Sequence, residues 1–299
     1  MSKGCVHIGG KYVGLGEAKM SIFDTGFLHS DVVYDVTSSW KGYFFKLDEH
    51  LKRFKTSCDG FRLKNPYSDG ETKKILAECV VRAGCEDAAF VHMHVTRGEY
   101  PEGSRDPRLC RNQFVSYVVP YIFLWGPEKS KRGVNLNLAK RERISDKAID
   151  ARYKNFHWAD LIQAQYDAYE SGCDDAVLCG PDGNLAEGPG YNIFVVKKGT
   201  VATPDANCLR GISRQTAIEM CEMLKIPLEI RKVQPNELRN ADEAFATSTA
   251  GGVMPVVAID SKPLGNGAPG ILTGRLVEQY WTKREQGWCG TKLSDILKH

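Results

Sequence analysis

Long apolar runs are missing from this chain of 299 residues. None approaches the roughly 20 residues that a membrane-crossing helix needs, and the first residues lead into strand-like alternation without the apolar stretch of a secretion signal. Blocks of like charge are missing too. The 40 basic and 37 acidic residues are interspersed and leave a net charge of +3, which argues against nucleic acid or an anionic membrane as partner. The ten cysteines are scattered from Cys5 to Cys289, and none of their spacings makes a second pair of zinc-finger type. They read as free thiols, mostly buried as small apolar residues, with no metal site. Internal repeats and low-complexity tracts are absent as well. A soluble, cytoplasmic protein is expected. With 42% hydrophobic and 26% charged residues, the chain can bury one large core or two moderate ones, as in a two-domain α/β enzyme.

The order of apolar and turn residues divides the chain into a small α+β domain over residues 1–125, a linker over 126–133 and a large domain over 134–299. In the first part, Val6 to Tyr12 and Gly42 to Lys46 read as strands. Asp48 reads as the N-cap of a helix carrying Leu47, Leu51, Phe54, Cys58 and Phe61, with His50 and Arg53 on another face. A helix from about Glu71 to Arg82 stops at Gly84, and a strand from Ala88 to Thr96 turns Phe90, His92 and His94 one way and Val91, Met93 and Val95 the other. Asn112 to Leu124 is a further strand, broken at Pro120. The turn residues and charges from Trp125 to Gly133 suggest the linker. Beyond it, Val134, Leu136 and Leu138 alternate, and a helix spans Trp158 to Glu170. Hairpins follow at Ala176 to Glu187 and at Tyr191 to Ala202.

Chemistry concentrates in four segments. Lys154 lies between Tyr153 and the aromatic run Phe156-His157-Trp158, just ahead of an amphipathic helix, whereas most lysines are solvated surface charges. Glu187 precedes Gly188-Pro189-Gly190, so its carboxylate can approach a planar ring with little obstruction. Gly211-Ile212-Ser213 opens a helix whose unpaired N–H groups and dipole favour a phosphate. Thr249-Ala250-Gly251-Gly252 is a second small-residue loop. Each segment alone has an ordinary structural explanation. Together they suggest pyridoxal 5'-phosphate: an amine for a Schiff base, a carboxylate for the ring nitrogen, and N–H groups and hydroxyls for the phosphate.

Taken with Ser21-Ile22-Phe23-Asp24-Thr25-Gly26-Phe27-Leu28-His29-Ser30-Asp31 and His50-Leu51-Lys52-Arg53, these segments resemble the class IV aminotransferases, the fold-type IV pyridoxal-phosphate enzymes. The resemblance runs from about Tyr12 to Trp281. It implies a two-domain fold of the D-amino acid aminotransferase type, with a barrel-like β region in the large domain. It further implies Lys154 as the Schiff-base lysine, Glu187 as the ring-nitrogen partner, Leu209 against the ring, and Arg53, Ile212, Ser213 and Thr249 at the phosphate. Around the substrate it implies His29, Tyr34, Val36, Phe90, His92, Trp158, Tyr191 and Ala250. A homodimer is implied, each site being lined partly by the neighbouring subunit.

The runs Lys154 to Leu161 and Thr247 to Pro255 are most similar to the (R)-selective amine transaminases, and the Gly-Gly-Asn-Tyr run usual in branched-chain enzymes is missing. Pro189, Ser213 and His92 depart from the family pattern, His92 standing where (R)-amine enzymes often have glutamate. The implied reaction moves an amino group from an (R)-amine or D-amino acid to a 2-oxo acid such as pyruvate. Arg105, or its neighbour Arg108, would hold the acceptor carboxylate. A branched-chain transaminase, a lyase of the aminodeoxychorismate type and a non-catalytic vitamin B6-binding protein are the rival readings.

Overall fold

The computed structural model describes residues 3–298 and divides into two compact units. Among these residues, the first comprises those up to 122, 153–157 and those from 284 onward, and the second residues 123–152 and 158–283.

In the first unit, β1 (Cys5–Ile8) and β2 (Lys11–Val13) form a tight hairpin. Gly9 and Gly10, at φ of 56° and 75°, make its turn, so one expected strand is two. After them come α1 (Thr25–His29), β3 (Val32–Trp40), β4 (Tyr43–Phe45), α2 (Leu47–Gly60), α3 (Asp69–Ala83), β5 (Ala88–Thr96) and β6 (Gln113–Pro120). The C-terminal strand Gly290–Lys292 pairs with β4 and completes a seven-stranded sheet.

Helix α2 begins from Lys46 in left-handed conformation, with Asp48 inside its first turn rather than at the expected N-cap position. Helix α3 is stopped at both ends by local chemistry. Ser68 and Glu71 form a reciprocal capping box, and Gly84 takes the left-handed C-cap that a side chain would strain.

Alternation along the strands gives the sheet two different faces. Val33, Val91, Met93, Val95, Phe114 and Val118 pack beneath α2 and α3 against Leu47, Leu51, Phe54, Leu76 and Val80. Each such fully buried side chain contributes roughly 1.5–3 kcal/mol. The register Tyr34↔His94, Val36↔His92 and Ser38↔Phe90 places six chemically richer residues on the other face.

The second unit opens with α4 (Gly126–Arg132), a helix where a linker was expected. Pro127 near its start and Lys129, Lys131 and Arg132 in its last turn suit a short helix as well as a loop. The remaining elements are β7 (Val134–Glu142), α5 (Ala159–Glu170), β8 (Asp175–Cys179), β9 (Glu187–Gly188), β10 (Tyr191–Lys197), β11 (Thr200–Thr203), α6 (Ile212–Met223), β12 (Leu228–Ile230), α7 (Pro235–Arg239), β13 (Glu243–Ser248), β14 (Gly252–Ile259), β15 (Lys262–Pro263) and α8 (Ile271–Glu285).

Strands β10, β13, β14, β7 and β8 are neighbours in that order. The far edge of β8 bonds to Leu185 and Ala186, and the same segment runs on as β9 into β10. That closes the curled sheet into a barrel. Its interior is filled by Leu136, Val177, Leu185, Ile193, Val195, Ala246, Met254 and Val256. On the outside, α5 packs Leu161, Ala164 and Ala168 over Ala176 and Leu178.

All ten cysteines are free thiols, seven of them buried. No helix among the described residues is long and apolar enough to cross a membrane.

Candidate active site

Lys154 belongs to the first unit, although the flanking chain belongs to the second. Residues 153–157 run beside β3 through a bridge between Asn155 and Val33. The Tyr34 N–H donates to the Lys154 carbonyl at 3.0 Å, and the Lys154 N–H donates to Ser57 Oγ at 2.9 Å. The lysine backbone is therefore held from both sides. Its Nζ lies 3.2 Å from Tyr34 Oη and 4.3 Å from the centre of that ring.

Around the amine stand uncharged groups. Tyr34 lies nearly parallel to His94, with ring centres 5.9 Å apart and planes at 13°. His92 stacks on Tyr117 at 4.2 Å and meets Phe90 edge-on at 4.9 Å. Burial, with the neighbouring His94 and Lys154 charges adding to it, pushes His92 down to about 2. His94 is pushed down to about 4, again chiefly by burial. Both imidazoles are neutral at ordinary pH. His92 Nδ1 is buried without a hydrogen-bond partner among the described residues.

Behind this face lies a charge cluster that the sequence reading missed. Asp35 is wholly buried. Its Oδ2 accepts from Arg53 Nε at 2.7 Å, and its Oδ1 accepts from Arg53 Nη2 at 2.8 Å and from His50 Nδ1 at 2.7 Å. Burial alone would raise the Asp35 carboxyl, but the Arg53 charge and the His50 contact hold it well below the usual carboxylate range. Burial lowers His50 in turn. Arg53 and His50 are thus not on a separate polar face. Their spacing of one helical turn, opposite an aspartate inside an apolar strand, was the available signal.

The second unit assembles the remaining cofactor candidates. Glu187 is buried, its Oε1 accepting from Arg143 Nε at 3.0 Å and its Oε2 from the Leu209 N–H at 2.9 Å. Arg143, also missed, is itself buried and donates through Nη1 to Asp160 at 2.6 Å. Leu209 is joined to the start of α6 by the Gly211 N–H, which donates to its carbonyl, and by Asn192 Nδ2, which donates to the same oxygen at 2.9 Å. A Cβ on Gly211 would lie 2.2 Å from Asn192 Oδ1, so this approach requires glycine.

Helix α6 has no side-chain cap at Gly211, and Ser213 is buried in its first turn. Arg214, buried beside it, donates to the Thr203 hydroxyl and the Pro204 carbonyl and meets no carboxylate among the described residues. The result is a positive N-terminus suited to an anion. Ser248 Oγ donates to the Gly190 carbonyl at 2.9 Å, which ties the loop carrying Thr249 to the turn after Glu187.

The expected substrate residues divide. Tyr34, Val36, Phe90 and His92 share one face in the first unit. His29 is exposed at the end of α1 and is not brought to them within this chain. Trp158 starts α5, within 3.4 Å of where a Cβ on Gly190 would stand. Ala250 is buried, its carbonyl accepting from Leu124. Tyr191 departs from expectation: its ring packs in the barrel core and edge-on against Trp125, and its hydroxyl is committed to the Ala176 carbonyl. Even-numbered neighbours on β10 face the other way, and the inward position takes Tyr191 with Ile193 and Val195. Arg108 is clamped by Asp106 at 2.6 Å, whereas Arg105 is exposed and meets no carboxylate among the described residues. No cluster of described residues could hold a metal ion.

A half-buried amine beside uncharged rings, a fixed buried carboxylate and an anion-binding helix start are the groups that a pyridoxal phosphate requires. The sequence profile of the class IV amino-transferases matches residues 32–259. The chain belongs to this family of pyridoxal-phosphate-dependent aminotransferases.

The D-alanine aminotransferase of Bacillus licheniformis is 32% identical over 267 residues, covering 88% of this chain and 91% of that one. Branched-chain-amino-acid aminotransferase-like protein 2 of Arabidopsis thaliana is 31% identical over 91% of this chain. The chain spans 49% and 47% of the length of that protein and of its like protein 1. Among solved structures, a branched-chain amino acid aminotransferase with pyridoxamine 5'-phosphate superposes with a TM-score of 0.90 at 25% identity, covering 98% of this chain and 99% of that one. The branched-chain aminotransferase of the thermophilic archaeon Thermoproteus uzoniensis superposes with a TM-score of 0.88 at 26% identity, covering 97% and 99%.

Proposed function

We propose that this protein exchanges an amino group between an uncharged-side-chain donor and a 2-oxo acid, and that the donor is an (R)-amine or a D-amino acid. The observation that carries the uncharged side chain is the neutral wall of Tyr34, Val36, Phe90 and His92 on the face that bears Lys154, while the (R) or D configuration rests on the resemblance of the runs Lys154 to Leu161 and Thr247 to Pro255. A side-chain carboxylate there would be desolvated without a cation, at a cost of several kcal/mol.

Lys154 would attach the cofactor, Glu187 would face its ring nitrogen with Leu209 against the ring, and Arg53, Ile212, Ser213 and Thr249 would hold its phosphate. Bound in this way, the cofactor supplies an electron sink that makes the hydrogen on the substrate carbon acidic. Lys154 takes that proton at Nζ and returns it on the other side of the exchange. Arg143 and the Leu209 N–H keep the Glu187 carboxylate oriented, and the stacked rings of His92 and Tyr117 exclude water from the amine's face. Arg105, with no carboxylate of its own among the described residues, would swing in for the acceptor's carboxylate and out for an amine.

We also infer a homodimer. Met20, Ile22, Phe23, Phe27 and Leu28 leave between 43% and 70% of their surface exposed within nine residues, an apolar patch that a second copy would cover.

A second reading has its own support. Several relatives carry branched-chain names, among them a putative branched-chain-amino-acid aminotransferase of Methanocaldococcus jannaschii, 29% identical over 97% of this chain and 99% of that one. Donors with L configuration and aliphatic side chains suit the same neutral wall.

Half-reactions with both enantiomers of an aryl-alkyl amine, alanine and leucine, read by loss of the cofactor's aldehyde absorbance, separate the two. Faster reaction of the (R)-amine or D-amino acid supports the first reading, and preference for L-leucine establishes the second. Pyruvate released from a substrate without any oxo acid added would place the chain with the lyases. Borohydride reduction and peptide mapping should find the label on Lys154.

A further inference from the structure

Tyr34 and Lys154 are joined three times. The Tyr34 N–H donates to the lysine carbonyl at 3.0 Å, the lysine Nζ lies 3.2 Å from the tyrosine hydroxyl, and the same Nζ stands 4.3 Å from the centre of the ring. The ring cannot easily turn away. It lies against His94 at 5.9 Å and receives Phe156 edge-on at 5.1 Å, while β3 is paired along its whole length with β5. The Ser57 hydroxyl, which accepts from the Lys154 N–H, fixes the lysine from the other side.

The surroundings pull the amine in opposite directions. Partial burial beside Tyr34 and two neutral imidazoles favours the uncharged amine. An aromatic face and a hydroxyl oxygen favour the ammonium, the second through a charge-assisted bond stronger than the one the hydroxyl donates to a neutral amine. Among the titratable groups that face the amine are Tyr34 on β3 and His92 and His94 on β5, with Tyr117 of β6 behind His92. Asp35 lies on the opposite face of β3, tied to Arg53 and His50.

We propose that Tyr34 is the positioning residue that holds the Lys154 amine whenever no cofactor is attached to it and sets its proton affinity, the hydroxyl donating to neutral Nζ and accepting from the ammonium. No bond is made or broken on the phenol. When Nζ gains a proton, Tyr34 Oη changes from donor to acceptor by rotating its hydrogen, and when Nζ gives the proton up the rotation reverses. The lysine then stays within reach of the carbon it serves in both protonation states. Its catalytic meaning rests on Lys154 being the cofactor lysine, but the pairing itself does not.

The test uses Tyr34→Phe, which keeps the ring and its packing and removes only the hydroxyl. Labelling the cofactor-free protein with acetic anhydride from pH 6 to 11, with Lys154 acetylation read by peptide mass spectrometry against exposed lysines, titrates the amine directly. The midpoint is expected to fall by about one pH unit in the variant, the loss of one charge-assisted bond. An unchanged or higher midpoint overturns the proposal.

With the cofactor loaded, the variant should lose at least about tenfold in kcat, with the Michaelis constant of an amine donor unchanged and the pH profile displaced in the same direction as the labelling curve. A rise confined to the Michaelis constants of carboxylate-bearing substrates would instead assign the Tyr34 hydroxyl to the substrate carboxylate and overturn the proposal. If borohydride mapping places the cofactor on another lysine, the functional assignment of Lys154 fails, while the labelling shift still decides the Tyr34 pairing separately.

Discussion

Replacing Arg53 with alanine tests whether the cluster behind the candidate site is a structural device before it is a phosphate contact. Asp35 is fully buried, and Arg53 supplies two of the three side-chain hydrogen bonds to its carboxylate, at 2.7 and 2.8 Å. Removing one partner of such a pair leaves an uncompensated charge, which costs about 3–5 kcal/mol. That exceeds the roughly 1.5–3 kcal/mol expected from one lost charged contact to a phosphate. Arg53→Ala should therefore lower the urea midpoint of the cofactor-free protein, not merely its retention of cofactor. Asp35→Asn added to it should recover much of the loss by removing the stranded charge.

The pH dependence sharpens this test. In the wild type Asp35 is held well below its ordinary range, so its stabilisation is present above the unfolded value near 4 and disappears only in strong acid. It contributes no slope between pH 5.5 and 8. His50 is lowered in the wild type, so the unfolded state binds more protons below about 6.5 and wild-type stability declines there. In the variant His50 alone faces the carboxylate at 2.7 Å, and its affinity for a proton rises. A histidine raised above its unfolded value stabilises fully below about 6.5 and loses that effect as pH climbs through the folded value. The gap between wild type and variant should be widest at pH 8 and narrow towards pH 5.5. Equal midpoints at pH 8, or a gap that widens in acid, would refute the reasoning.

Local chemistry was legible in the sequence wherever neighbours along the chain decide the outcome. Strand β5 runs over the expected Ala88–Thr96 because its alternation is uninterrupted, and the β10–β11 hairpin turns at Lys198-Gly199 as its glycine suggests. Glycine-rich turns mark the segments of Glu187, Ile212, Ser213 and Thr249, whereas Leu209 was expected only from the family resemblance. In the structure the Leu209 N–H donates to the Glu187 carboxylate.

What could not be read was pairing at long range. Arg143 lies 44 residues from the Glu187 it orients, and Asp35 lies 18 residues from Arg53 across a strand, a turn and half a helix. Arg143 has no local feature that distinguishes it from a solvated arginine, and the one-turn spacing of His50 and Arg53 does not by itself name Asp35 as their partner. The pairing of Leu185 and Ala186 with β8 is the hairpin expected over Ala176 to Glu187, whereas the continuation of that segment into a strand paired with β10 was not read. Lys154 is the clearest case. Its flanking sequence predicts the start of a helix in the second unit, and the residue itself pairs with Tyr34, 120 positions earlier.

Three further perturbations follow from the same contacts. Glu187→Gln should slow turnover severely, and it should also lower apo stability by about 1–3 kcal/mol, because buried Arg143 loses one of its two carboxylates. A thermal midpoint equal to wild type would show that Asp160 alone suffices. Arg105→Ala should raise the Michaelis constant for pyruvate well above any change for an amine donor, while Arg108→Ala, whose guanidinium is already occupied by Asp106, should change neither. Parallel changes in both constants would remove the switching role from this loop. The last concerns Asp175, a buried carboxyl on β8 that accepts from Trp125 Nε1 and the Ala176 N–H at 2.8 Å and has no cation beside it among the described residues. Burial, against the pull of those bonds, raises it to about 6. The folded protein therefore binds this proton more tightly than the unfolded chain. Stability linked to it is complete below about 4 and is lost as pH rises through about 6, by about 3 kcal/mol. Asp175→Asn cannot ionise, but its amide can accept only with one oxygen, so one donor loses its partner at a cost of about 1 kcal/mol. The variant should be less stable than wild type near pH 3.5 and more stable at pH 8, with unfolding curves that cross between. Curves that stay parallel from pH 3.5 to 8 would show that Asp175 remains ionised in the fold and that its hydrogen bonds outweigh its burial.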